Sequence, residues 1–284
     1  MAAVPSMDLI YVGAALASAL LHAGWNGAVK NTDNPTETMS AQMVLAALLV
    51  VPVLAITGLP AAASLPWLVA STSLNLVTVL ALLRAYDHAG FGVAYPVIRA
   101  ISVLLIVPLS IALAGETISS LGLAGVGLIA LALAVLGLSA RGKDALTAKA
   151  AGWMLLSGVT AAAYVYCDAR GVRASGSALA YGSLVSITNA VAMLARQRAT
   201  ITPLDLMRRH WRPALPIAIA SVASYFLILW AYTGAPIAPM AALRDTSAVF
   251  AILIALFWLK EAITPMRLLA VAIAAAAIPL LRLS

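Results

Sequence analysis

Two arginines stand in the middle of apolar runs: Arg99 in "AYPVIRAISV", residues 94–103, and Arg244 in "PMAALRDTSAV", residues 239–249. A guanidinium is a planar donor suited to a carboxylate, which it meets with two parallel hydrogen bonds. Each arginine is therefore a candidate ligand for an acidic group. Asp245 follows Arg244 directly, and neighbours at i, i+1 do not face each other on a helix. Its expected partner is Arg99 or a polar group of another segment. As the carboxylate inside an apolar run, it is also the one candidate for a buried proton carrier. His22 and Asn26 are four residues apart, so they share a helix face with Ser18 and lie close to Trp25. Asn75 and Asn189 are further polar groups in apolar runs.

Tyr86, Tyr95, Tyr164, Tyr225 and Trp25 complete the candidate substrate-binding set. Such rings suit a semi-apolar pocket that grips an organic solute by stacking and hydroxyl hydrogen bonds. Each residue type also has a plainer use. Arginine snorkels or caps carbonyls, Asn and His join helices, and aromatics form the interfacial belt that accounts for Trp67, Trp153, Trp211 and Trp258. Pro96, Pro236 and Pro239 stand at the entries to the arginine-bearing runs, either as gating hinges or as helix starts. No HExxH, no carboxylate pair at working spacing and no Ser-His-Asp set is present, so no enzyme is expected. No metal and no cofactor are expected either: His22 lacks the company a metal site needs, and Cys167 is the single cysteine.

The elements that must position these residues follow from composition. Of 284 residues, 63% are hydrophobic and only 10% charged, and the mean hydropathy is +1.03. A soluble exterior needs far more charge than this. Apolar runs of about 20 residues belong in a bilayer, and their backbones must be helical there. Ten spans are predicted near 8–29, 39–58, 66–85, 91–114, 119–139, 151–169, 178–196, 213–232, 238–259 and 264–282, an all-α polytopic membrane protein. "MAAVPSMD" has no basic cluster before the first run, so that run reads as a retained span.

Charge supplies an orientation. Lys30, Arg84, Arg141, Lys143, Lys149, Arg196, Arg198, Arg208, Arg209, Arg212, Lys260 and Arg267 follow odd-numbered spans, against Arg170, Arg173 and Arg282 on the other side. The positive-inside rule makes the odd loops cytoplasmic and turns both termini outward. The net charge of +7 is explained by that bias, with no call for nucleic acid.

The chain also repeats itself. An offset of 145 places Arg99 on Arg244, Ser102 on Ser247, Glu116 on Glu261 and Ile118 on Ile263. An offset of 139 pairs Gly13 with Gly152, Leu16 with Leu155, Ser18 with Ser157 and Trp25 with Tyr164. The expected units are five-helix repeats over 1–140 and 141–284. An odd number of crossings inverts the second copy, and inverted repeats place a binding site near the midplane, here a central cavity. At 1.5 Å per residue Arg99 lies about 12 Å, and Arg244 about 9 Å, inside its span. A charge at that depth costs roughly 2.5–3.5 kcal/mol in lipid, so both should turn toward protein or water.

"PLSIALAGETISSLGLAGVGLIALALAVLGL" resembles the end of each repeat in EamA-type members of the drug/metabolite transporter superfamily, where a proline-bearing span closes with Gly-Glu before a Gly-rich last helix. "IALFWLKEAITPMRLLAVAIAAAAIPLL" is similar to a second copy, and "HAGWNGAVKN" to the family's first span. The second copy departs from the first, with Lys260 in place of Gly115 and Leu253 in place of Pro108. The resemblance implies a multi-pass protein of the bacterial inner membrane. It would be a secondary transporter exporting small organic metabolites, amino acids foremost, by alternating access, as in YddG-like exporters. Multidrug or sugar and nucleotide-sugar transport is the alternative within the superfamily, and a channel or scaffold the alternative outside it. The expected partners are a small-molecule substrate and membrane lipid, the expected state a monomer. With one deep carboxylate, facilitated export or exchange is expected over proton coupling.

Overall fold

The structure, a computed structural model, describes residues 8–89, 91–138, 147–198, 200–257 and 264–283. Every regular element among them is helical. The α-helices are α1 (Leu9–Lys30), α2 (Pro35–Thr57), α3 (Leu65–His88), α4 (Phe91–Ala114), α5 (Ser120–Leu138), α6 (Ala148–Ser175), α7 (Ala178–Gln197), α8 (Pro203–Gly234), α9 (Ile237–Asp245), α10 (Ser247–Phe257) and α11 (Pro265–Arg282). Seven of them are long and apolar enough to cross a membrane: α1, α2, α3 with the 3₁₀ turn before it, α4, α6, α7 and α8. Shorter apolar stretches lie at 120–135 in α5 and 268–281 in α11. The chain is thus a multi-pass integral membrane protein.

The helix ends are written in their caps. Asn34 accepts from the Glu37 amide with Pro35 just inside α2, and Thr147 and Ser177 do the same for Ala150 and Ala180. Such caps satisfy amides that have no partner within the helix. Gly176 ends α6 in the left-handed region, φ 75°, where a side chain would be strained.

Three elements depart from the sequence-based reading. First, α8 begins at Pro203 instead of near 213, taking in Arg208, Arg209 and Arg212 and running through Pro213 and Pro216. Thr202 caps it, accepting from Asp205 N, with proline at the first helical position. Second, α6 continues past 169 to Ser175, so Arg170 and Arg173 are helical residues. Third, the span expected over 238–259 is interrupted at Thr246, which divides it into α9 and α10. There the Thr246 amide is shared between the carbonyls of Ala242 and Leu243, both at 3.3 Å, and its hydroxyl donates to Leu243 O at 2.6 Å. Arg141, Lys143, Trp258, Lys260, Glu261 and Ile263 lie outside the described residues.

Helices in lipid gain little from burying leucine, so small residues and interhelical hydrogen bonds carry much of the packing. A Cβ built on Gly158 of α6 would meet Ile101 at 2.6 Å and the Ile98 carbonyl at 3.0 Å, so α6 lies directly against α4. In "GLAGVGL", Gly125 meets Leu281 of α11 in the same way, whereas Gly127 faces open space.

Helix α1 packs on α8 and α3 on α6; α4 also touches α6, as α9 and α10 touch α1. Helices α2 and α7 pair, and so do α5 and α11. The polar contacts repeat the pattern. Ser18 donates to Ser224 O at 2.7 Å and Ser224 returns the bond to Ser18 O at 2.8 Å. Ser157 donates to Thr78 O at 3.1 Å. Ser157 is Ser18 shifted by 139, and Ser224 is Thr78 shifted by 146.

Candidate functional site

A cavity of about 110 Å³ opens between α1, α2, α3, α6, α7 and α8, with Arg99 of α4 and Arg244 of α9 reaching its wall. A single water needs only about 10–15 Å³. His22, Trp25, Asn26, Asn75, Tyr164 and Tyr225 line it together with the two arginines. The structure thus gathers eight of the eleven candidate substrate-binding residues around one space.

The arginines are nearly sealed, at 4% and 5% exposure, and both reach His22. Nη2 of Arg99 is 3.2 Å from His22 Nε2, and Nη2 of Arg244 is 3.4 Å from His22 Nδ1. A guanidinium only donates, while an imidazole has one acceptor nitrogen when neutral and none when protonated. In no protonation state can His22 accept from both. Arg99 has further partners: Nη1 pairs with the Asp245 carboxylate at 3.3 Å, and the guanidinium lies 5.1 Å from the Tyr95 ring centroid. Arg244 has no carboxylate within 4 Å among the described residues, and its Nε is buried without an acceptor. It sits in the last turn of α9, where the carbonyl end of the helix dipole favours a cation.

Three candidates stand elsewhere. Asp245 is engaged by Arg99 and does not line the cavity. Tyr95, four residues before Arg99 on the same face of α4, lies against that guanidinium, and its hydroxyl bonds Ser247 at 2.9 Å. Tyr86 is near the end of α3, where its carbonyl accepts from Lys30 Nζ at 2.9 Å and its ring lies 5.2 Å from that ammonium. Pro96 falls six residues into α4, where it removes a ladder hydrogen bond. Pro236 is the N-cap of α9 and Pro239 lies in its first turn, a helix start in which proline is well tolerated.

Sequence reasoning missed Asp168. The expectation that Asp245 is the one carboxylate inside a span is corrected here: residue 168 fell at the very end of the span expected over 151–169, but α6 runs on to Ser175 and buries Asp168. Asp168 is 3% exposed and lines the cavity. Ser71 donates to its Oδ1 at 2.5 Å, Tyr181 to the same oxygen at 3.3 Å and Tyr225 to Oδ2 at 2.9 Å. No Lys, Arg or His nitrogen lies within 4 Å of it among the described residues. Gln42, Asn189, Ser186 and Ser221 add further polar groups to the wall.

At the far ends of α6 and α8 a second polar cluster joins helices. Arg173 donates to the carbonyls of Tyr232 and Ala235, each at 2.8 Å, and to Glu116 at 3.1 Å. The Glu116 carboxylate also accepts from the amide of Ile237 at 2.9 Å, at the start of α9.

Residues 148–283, the stretch from α6 to α11, match the EamA-like transporter family, so a domain of that family is present in the second part of the chain. No curated protein matches the chain. A solved crystal structure resembles it over nearly the full length, covering 96% of this chain and 95% of its own, with a TM-score of 0.72 at 15% identity. That likeness shows a shared fold.

Proposed function

We propose that the chain is a secondary transporter which exports small organic metabolites, amino acids foremost, through the central cavity by alternating access. It would have ten crossings, with α9 and α10 together making the ninth, arranged as two inverted five-span halves. The observation that carries this reading is a cavity with polar and aromatic side chains on its wall, enclosed by helices from both parts of the chain and holding a buried arginine from each. Helix pairing supports the inverted arrangement. Exchanging α1 with α6, α3 with α8 and α4 with α9 and α10 turns the observed contacts into one another, and the α2–α7 and α5–α11 pairs into themselves. The Ser18–Ser224 and Ser157–Thr78 bonds exchange in the same way. The family match over 148–283 has the extent of one such half.

In this mechanism the two halves rock about the cavity, exposing it to one side and then the other. Counterflow in proteoliposomes tests the reading, with a panel of amino acids, sugars, nucleotide sugars and cationic drugs. Amino acids are expected to exchange, including after the proton gradient is collapsed. Exchange of sugars or drugs alone would assign a different solute class, and the absence of counterflow for every member would refute transport.

A further inference from the structure

The charges around the cavity do not cancel in contact. Arg99 and Asp245 form an ion pair, so each disposes of the other's charge. That leaves Arg244 as a cation and Asp168 as an anion, both buried and both on the wall of the same cavity, with no ion-pair partner within 4 Å among the described residues. An isolated buried charge is costly, and a ligand that pairs it recovers much of that cost.

Building on the transporter reading, we propose that Asp168 and Arg244 are the two poles of a zwitterion subsite: Asp168 receives the substrate ammonium and Arg244 its carboxylate. Each pole has hydrogen-bonding capacity to spare. A carboxylate offers about four lone-pair sites, and Asp168 uses three, for the hydroxyls of Ser71, Tyr181 and Tyr225. Those hydroxyls come from α3, α7 and α8, so they fix the carboxylate while leaving one acceptor site for an N–H⁺. Arg244 has five N–H donors and, among the described residues, its guanidinium has a hydrogen-bond contact only with the His22 ring, for which Arg99 competes from the closer distance of 3.2 Å. An incoming carboxylate supplies the acceptors that His22 cannot. A neutral sugar leaves both poles unpaired. A cationic drug or a simple organic acid leaves one. Tyr164 and Trp25 add aromatic surface to the wall of the same cavity.

The test compares an amino acid with its decarboxylated amine and its deaminated acid, each as a competitor of amino acid counterflow in proteoliposomes. In the wild-type protein the zwitterion should compete about a hundredfold better than either relative, because each relative leaves one buried charged pole without its partner. Asp168→Asn should shift the preference toward the deaminated acid, and Arg244→Gln toward the amine. Amine, acid and zwitterion competing equally at the wild-type protein would overturn the subsites without any variant having to fold. So would retention of the wild-type order by both variants. Either result with amino acid counterflow intact leaves the transporter reading standing, whereas a wild-type protein that moves no amino acid removes that reading itself.

Discussion

Arg99 and Arg244 coincide when the sequence is offset by 145 residues, yet replacement by glutamine should separate them sharply. Arg99→Gln strips Asp245 of the one cation within 4 Å of it among the described residues and leaves that carboxylate buried at 4% exposure. Breaking a buried pair by removing one partner costs about 3–5 kcal/mol, because the other charge stays buried and uncompensated. Arg244→Gln removes a charge whose sole hydrogen-bond contact among the described residues is an imidazole nitrogen at 3.4 Å. A single such contact is worth roughly 1 kcal/mol or less, and discarding an unpaired buried charge offsets the loss. The expected difference between the variants is therefore about 3 kcal/mol. Reversible unfolding in mixed detergent micelles measures it. The double variant R99Q/D245N should recover about 2 kcal/mol relative to the sum of its singles, the coupling expected of groups in contact. Equal destabilisation by R99Q and R244Q would refute the charge accounting at the cavity, since it would mean that Arg244 also holds a counter-charge.

Two further outcomes follow from the packing. Gly158→Val places a side chain within 3 Å of Ile101 and should cost about 1–3 kcal/mol as α4 and α6 are forced apart, measured in the same micelles; an unchanged stability would mean the two helices are not held that close. Arg173→Met releases the carbonyls of Tyr232 and Ala235 together with Glu116, so a cysteine introduced by Ala235→Cys should label faster with a membrane-impermeant thiol reagent. Unaltered labelling would show that Arg173 does not fasten that end of the bundle.

Apolar runs and cap residues made the helices legible: α4 was placed at 91–114, and α7 differed by one residue at its end. Intramembrane polar residues led directly to the cavity because a bilayer leaves them few other places to be. Asp168 escaped because "DARGVR" packs two arginines behind it and reads as the close of a span, although α6 is the most deeply enclosed of the membrane-length helices. Its i, i+4 relation to Tyr164 was the available signal. The first turns of α8 were hidden by the basic run through Arg212, even though Thr202, Pro203 and Asp205 spell a helix start. That Tyr95 stands off the cavity wall was hidden for a different reason. Sequence spacing puts it beside Arg99 but cannot tell a ring that faces the cavity from one that lies against the guanidinium.

The break at Thr246 gives the two arginines unequal mechanical footing. Arg99 lies well inside one helix, so its aim is set mainly by how α4 lies as a whole. Arg244 is two residues from a joint held partly by one threonine hydroxyl, and a small change in that joint would swivel its head group while α10 stays put. One guanidinium is thus a fixed electrode and the other a steerable one, and a solute anchored to the second would tug on the hinge that carries it.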